Sequence, residues 1–296
     1  FDYGFDTTSV NAPDPVEPAI PGDQLLGDSA ANRLEGSAGD DTLFGGAGND
    51  TLSGGEGNDQ FRGDAGDDVF IGGEGIDTVI FQGATDTIVN LTTMALQNTG
   101  HGMDRFVGIQ NVTSGLGNDK LYGNGAANAL TGRGGNDVLV GQGGNDTLIG
   151  NEGDDTIDGG TGADQIVGGS GNDVLRGEGG NDQLSGGTGM DFLTGGGDAD
   201  TFVFASVGDA GIGATRDQIL DFEKGVDQID LTDMVPGTFE FRGTKAFSPS
   251  GNAELRLFET SNGSTIVQLD VNGDGTADAE IRVADVTGLT VNDFGL

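Results

Sequence analysis

The chain has 296 residues, 49 of them acidic and 12 basic, for a formal charge of −37. That balance excludes a nucleic-acid partner, because phosphate binding needs clustered Lys and Arg. There is no cysteine, which excludes disulfide staples and thiolate metal sites, and no apolar run reaches the ~18 residues of a membrane span.

Residues 1–26 read as a linker. Pro13, Pro15, Pro18 and Pro21 fall among Asp14, Glu17 and Asp23, and proline at that density favours extended, semi-rigid chain. The aromatic start, Phe1, Tyr3 and Phe5, fits the tail of an upstream domain as well as it fits a disordered terminus.

From Gly27 a period of nine takes over, of the form Gly-Gly-x-Gly-x-Asp-x-apolar-x, as in Gly45-Gly46-Ala47-Gly48-Asn49-Asp50-Thr51-Leu52-Ser53. Six units fill residues 27–80. Their sixth positions are Asn32, Asp41, Asp50, Asp59, Asp68 and Asp77, and their eighth positions are Leu34, Leu43, Leu52, Phe61, Phe70 and Val79. Residues 81–113 break the period, with two short strands expected at 87–91 and 105–109. They flank a loop that carries His101, the only histidine, read as a solvated loop residue.

Ten more units fill residues 114–203. Their sixth positions are Asp119, Asn128, Asp137, Asp146, Asp155, Asp164, Asp173, Asp182, Asp191 and Asp200. Every eighth position is again apolar, from Leu121 to Phe202. In residues 204–296 glycine thins out and alternating apolar stretches at 265–269 and 280–283 predict a compact β-rich cap.

The nonad has a physical reading. Six loop residues and three strand residues place one inward apolar side chain per strand. So short a strand cannot bury a face alone and must stack on the next coil, which is the logic of a solenoid. With two nonads per turn, the eighth positions meet in a thin core between two parallel sheets. Alternate aspartates then share an edge: Asp41, Asp59 and Asp77 against Asp50 and Asp68 in the first block, and Asp119, Asp137, Asp155, Asp173 and Asp191 against Asp146, Asp164, Asp182 and Asp200 in the second. Same-edge neighbours ~4.8 Å apart repel by ~1 kcal/mol in water and ~3 kcal/mol at an effective dielectric near 20. A hard cation between coils reverses that sign. Calcium takes six to eight oxygen ligands, which aspartates and glycine-loop carbonyls can supply. Magnesium wants tight octahedral geometry and zinc prefers Cys or His. On the order of ten or more Ca2+ ions, folded in with the chain, are expected.

These repeats resemble those of the RTX (repeats-in-toxin, hemolysin-type) calcium-binding family. The resemblance implies an all-β fold: a right-handed parallel β-roll in two blocks, 27–80 and 114–203, joined by the 81–113 spacer and closed by the cap. It also implies calcium on both edges, a secreted bacterial protein, and the type I secretion machinery as a partner. The stretch Asp217-Gln218-Ile219-Leu220-Asp221-Phe222-Glu223-Lys224-Gly225-Val226-Asp227-Gln228-Ile229-Asp230-Leu231 is similar to the segment after the roll in serralysin-type C-terminal domains, and the end, Asp293-Phe294-Gly295-Leu296, resembles their uncleaved secretion signal except at Gly295.

A second calcium signal lies in the cap. Asp270, Asn272, Asp274 and Asp278 place oxygen ligands at alternate positions around Gly273 and Gly275, like the first half of an EF-hand-type loop. Ile281 replaces the bidentate glutamate, so a calcium site of another kind and a polar β-turn both stay open. A single histidine cannot build a zinc-protease site or a Ser-His-Asp triad, and catalysis is not expected within these residues. Two functions follow. In the first, the chain is the calcium-folded export and stability module of a larger extracellular enzyme with an upstream catalytic domain. In the second, it is a stand-alone secreted adhesin, surface-layer or host-interaction protein with a cell-surface or polysaccharide target. An enzyme with its site in the spacer or the cap ranks last.

Overall fold

The structure, a computed structural model, describes residues 22–296; most of the proline-rich stretch and the aromatic start lie outside the described residues. Its last part does not. Gln24–Leu26, inside the stretch read as linker, is a β-strand paired in parallel with Thr42–Phe44.

The chain divides into two compact units, the second beginning at Gly135. In the first, one parallel sheet runs through Gln24–Leu26, Thr42–Phe44, Gln60–Arg62, Thr78–Ile80, Asn111–Thr113 and Ala129–Gly134. Its register aligns Leu25, Leu43, Phe61, Val79, Val112 and Leu130. A second sheet runs Arg33–Glu35, Thr51–Glu56, Val69–Glu74 and Met103–Val107, aligning Leu34, Leu52, Phe70 and Phe106. The spacer therefore does not leave the solenoid. It contributes Met103–Val107 and Asn111–Thr113 to these sheets, and Ile88–Asn90 pairs with Lys120–Tyr122. Phe106 stacks on Phe70 with ring centroids 5.3 Å apart, so an aromatic pair fills the coil where the period breaks.

In the second unit, Thr147–Glu152, Gln165–Ser170, Gln183–Thr188, Thr201–Val203, Gln228–Asp230 and Phe294–Gly295 form one parallel ladder. Val138–Gly143, Thr156–Thr161, Val174–Gly179, Phe192–Gly197, Asp217–Ile219 and Ala279–Val283 form the other. The parallel coils thus continue past Val203, with Ile219 and Ile229 buried in line with the eighth-position residues. The cap proper is antiparallel. Ala279–Val283 pairs with Thr265–Asp270, which pairs with Glu254–Glu259. Among the described residues the only helical pieces are three single 3-10 turns.

All sixteen eighth-position side chains are buried, as the apolar period requires. This is an all-β parallel solenoid of the β-roll kind. The strands are longer than the expected three residues. In the second unit most run for six, and their last residues are the opening residues of the next nonad. Coils approach closely along this ladder and in the turn just past it, most tightly where glycine supplies no side chain. At Gly162 (φ +135) a Cβ would lie 1.7 Å from the carbonyl oxygen of Gly144, one coil back. Gly162→Ala should therefore abolish the cooperative thermal transition of the calcium-loaded protein. Gly263→Ala, at φ +86 in open space, should cost only ~1 kcal/mol. Equal melting temperatures for the two variants would contradict close-packed coils.

Candidate metal centre

The fourteen repeat aspartates lie at the ends of the loops, where each strand begins. None is more than 3 % exposed. One oxygen of each carboxylate serves the fold. In the second unit the backbone N–H of Asp137 donates to Oδ1 of Asp155 (2.8 Å), Asp155 to Asp173 (2.7 Å) and Asp173 to Asp191 (2.8 Å). On the other edge Asp146 donates to Asp164 (2.8 Å), Asp164 to Asp182 (2.8 Å) and Asp182 to Asp200 (3.0 Å). In the first unit Asp41 donates to Asp59, Asp59 to Asp77, and Asp50 to Asp68, while Asp119 accepts from Thr87 N–H. The eighteen-residue turn predicts these stack memberships. It does not predict the hydrogen bond, which makes neighbouring carboxylates partners through the main chain rather than bare like charges.

The second oxygen is different. Oδ2 of Asp50, Asp59, Asp77, Asp155, Asp164, Asp173, Asp182, Asp191 and Asp200 is buried and accepts no hydrogen bond. A buried acceptor left bare costs ~1–3 kcal/mol, and more when charged. Burial accordingly pushes the carboxyls of Asp68, Asp155 and Asp191 up to about 7 and those of Asp77, Asp173, Asp182 and Asp200 up to about 6. Backbone donors pull these values down, and neighbouring carboxylates, such as Asp173 and Asp137 beside Asp155, push them up again.

Each bare oxygen faces a notch that the first glycine of its nonad leaves open. A Cβ on Gly150 would lie 2.0 Å from Asp155 Oδ2 and 2.7 Å from the carbonyl oxygen of Gly168 in the next coil. The same holds at Gly168, with Asp173 Oδ2 at 2.3 Å and the Gly186 carbonyl at 2.6 Å, and at Gly177, with Asp182 Oδ2 at 2.3 Å and the Gly195 carbonyl at 2.5 Å. Carboxylate and carbonyl oxygens from successive coils thus converge on one small space with no nitrogen or sulfur ligand. That donor set fits a hard divalent cation. Among the described residues no three carboxylate or imidazole side chains come together, so the rest of a calcium shell has to come from main-chain carbonyls and water.

The fifth position of the nonad carries a second ladder that the repeat formula hides. Asn136 Oδ1 accepts from Asp154 N–H, Asp154 Oδ1 from Asn172 N–H and Asn172 Oδ1 from Met190 N–H, at 2.7–3.1 Å. Asn49, Asp67 and Met103 repeat the pattern in the first unit. Sixth positions accept from the preceding coil and fifth positions from the following one. The signal was available in the frequent Asn and Asp at that position.

Residues outside the period also occupy sixth slots. Asp104 Oδ1 accepts from Asp68 N–H, and Gln110 Oε1 from Asp77 N–H. In the cap, Asp217 accepts from Asp191 and Asp227 from Asp200. The repeat formula misses all four. At the first degenerate unit, Asn32 Oδ1 accepts from Asp28 N–H and its amide donates to Asp28 Oδ1; Asn128 donates to the Gln110 carbonyl.

The cap loop folds on itself. Asp270 Oδ1 accepts from the N–H of Gly273 and Asp274 and Oδ2 from that of Gly275; Asp278 Oδ2 accepts from Val271 and Asn272, and Asp274 Oδ1 from Thr276. Asn272 Oδ1 in turn accepts from Asp274 N–H. His101 is not the solvated residue expected. It is half-buried, with its ring 5.0 Å from that of Phe81 and Nε2 3.2 Å from Thr87 Oγ1.

The model of the RTX calcium-binding nonapeptide repeat (4 copies) matches residues 26–61, 44–79, 108–139, 131–166, 140–175 and 176–206, together more than half of the chain. No curated protein matches it. Among solved structures, the AlgE6R3 subunit of the Azotobacter vinelandii mannuronan C5-epimerase is similar at 30% identity, over 49% of this chain and 79% of that one, with a TM-score of 0.38. The AlgE6R2 subunit of the same epimerase is similar at 28% identity, over 45% and 89%, with a TM-score of 0.32. By its repeats, the chain belongs to the RTX calcium-binding nonapeptide repeat family.

Proposed function

We propose that the chain is a calcium-folded module of a secreted bacterial protein, exported unfolded by type I secretion machinery and serving as the export and stability domain of a larger extracellular enzyme. Calcium is held by Asp41, Asp50, Asp59, Asp68, Asp77, Asp119, Asp137, Asp146, Asp155, Asp164, Asp173, Asp182, Asp191 and Asp200. The observation that carries this reading is the row of buried Oδ2 atoms with no hydrogen-bond donor. A fold that pairs one oxygen of these carboxylates and, at nine of them from Asp50 to Asp200, leaves the other bare inside an oxygen-lined notch is incomplete without a cation. Where calcium is scarce, the bare carboxylates oppose folding and keep the chain threadable; where calcium is plentiful, binding and folding are one event.

Calcium titration followed by circular dichroism tests this. The metal-free chain should be coil-like and become β-rich over roughly 10⁻⁴–10⁻³ M, the range of extracellular sites. A spectrum already β-rich in excess chelator would sink the reading.

Position in the stack should matter. Asp155 has a bare Oδ2 and rungs on both sides, whereas Asp41 Oδ2 already accepts from Ser37 N–H. Asp155→Ala should raise the calcium midpoint more than Asp41→Ala, and equal shifts would argue against shared sites.

Acid should substitute in part for the metal. The carboxyls of Asp155 and Asp191 are pushed up to about 7 in the folded chain, against ~3.9 unfolded. A raised folded value contributes stability that is full below ~3.9 and is lost as pH rises through 6–7. In chelator the β-rich fraction should therefore be larger at pH 4 than at pH 8, where the chain is coil-like, and the gain on adding calcium should grow over the same window. A metal-free protein more stable at pH 8 than at pH 5 would overturn this.

A further inference from the structure

The rows of sixth-slot carboxylates do not run unbroken through the spacer. Residues 99–107 keep the frame of a nonad: Thr99-Gly100-His101-Gly102-Met103-Asp104-Arg105-Phe106-Val107 has the second and fourth glycines, the sixth aspartate and the apolar eighth position. The coil also closes as a repeat does, since a Cβ on Gly102 would lie 1.7 Å from the Gly66 carbonyl oxygen. The first glycine is what this unit lacks. Thr99, fully buried, stands in its place, and its hydroxyl donates to Asp104 Oδ2, the oxygen left bare at Asp50 and Asp59. In the following sixth slot on this edge, Thr87 brings a hydroxyl instead of a carboxylate. Its N–H donates to Asp119 Oδ1 as a repeat residue's does, but its Oγ1 is taken up by the Thr85 carbonyl at 3.3 Å and His101 Nε2 at 3.2 Å. Thr99 also supplies the carbonyl that accepts from Ile88 N–H at 3.1 Å, so it ties the two coils of the gap together.

The other edge is interrupted as well. Gln110 commits Oε1 to Asp77 N–H at 2.7 Å, which leaves an amide nitrogen, a donor, where a repeat aspartate has its second oxygen. Asn128 accepts from Asn124 N–H and donates from Nδ2 to the Gln110 carbonyl at 2.7 Å. An N–H there joins one coil to the next.

We infer that the calcium rows stop at the spacer on both edges, so that the first block, Asp41 to Asp77, is a calcium array of its own and the spacer coils close on the chain's own hydroxyls and amides. This rests on the calcium reading of the repeats. Asp104 and Thr87 stand between Asp68 and Asp119, three coil steps or ~14 Å at strand spacing, against a Debye length of ~8 Å at physiological salt. No ligand is shared across the gap and the charges on its two sides are screened from each other. Calcium on one side therefore does not favour calcium on the other, although the main-chain ladder runs on.

The test uses the full chain with calcium as the probe and hydrogen exchange as the readout. Asp59→Asn keeps the oxygen that accepts from Asp41 N–H and removes the charge. It should raise the calcium midpoint for protection of Thr42–Phe44 and Thr51–Glu56 roughly tenfold or more, the effect of losing ~1.4 kcal/mol of ligation, and leave Thr156–Thr161 and Gln183–Thr188 at the wild-type midpoint. Asp173→Asn should do the reverse. If both pairs of strands move together in either variant, the inference is overturned while the repeat reading stays intact. Equilibrium dialysis tests the filled notch separately. Thr99→Gly, which restores the first glycine, should bind one calcium more than wild type, and Thr99→Val, which keeps the space filled, the same number as wild type. A folded Thr99→Gly protein with no added calcium overturns the role given to Thr99; if that variant does not fold, the two aspartate variants still decide. A wild-type chain that binds no calcium overturns both readings.

Discussion

A buried carboxylate with one oxygen satisfied and the other bare sets the conditions for everything else in this molecule. The satisfied oxygen is bonded to the main chain of the coil before it, which fixes the height of each step and the register of the strand that follows. The bare oxygen makes that step unfavourable to form alone. A hydrophobic core one residue wide per coil cannot offset such a cost indefinitely, since it buries little beyond one eighth-position side chain per strand. The chain therefore carries its own requirement for a cation in the geometry of the rung.

The glycines follow from the same constraint. A notch that admits an ion must be empty of carbon, and the Cβ missing from Gly150 is what leaves Asp155 Oδ2 and the Gly168 carbonyl facing one space. The same absence lets the coils close to ladder distance, so strands lengthen from three residues to six. Where a side chain is tolerated in the left-handed region, as at Gln142, Asn151 and Glu178, it stands at the second position of the nonad and is exposed. The glycine content is thus divided between close approach and ligand space, and the backbone entropy it costs on folding adds to the reasons why the metal-free chain resists order.

The period made most of this legible. The eighth-position core, the two alternating edge stacks and the all-β solenoid all follow from nine residues and a two-nonad turn, because a repeat leaves few ways to stack. What escaped was whatever keeps the geometry without keeping the letters. The spacer holds the ladder with Gln110 and Asp104 in place of a repeat aspartate, and the cap does so with Asp217 and Asp227. The roll therefore runs on through segments that a search for Gly-Gly-x-Gly discards. The Oδ1 bond escaped as well, since spacing alone places carboxylates near each other but does not say that a backbone N–H stands between them. The half-buried place of His101 is equally illegible, because nothing in its neighbourhood in sequence announces the Phe81 ring beside it.

The net charge of −37 then takes a narrower meaning than solubility. Part of it is exposed and screened by salt, and that part keeps the unfolded chain from collapsing on itself. The buried part is neither screened nor paired, and it answers only to protons or to a cation small enough to enter the notch. The two populations act at different stages, the first on the extended chain and the second on the closed coil. Because calcium at the notch neutralises the buried carboxylates and lowers the net charge of the whole chain, its binding weakens the repulsion that keeps the chain open and supplies the missing partner of the closed form in one step.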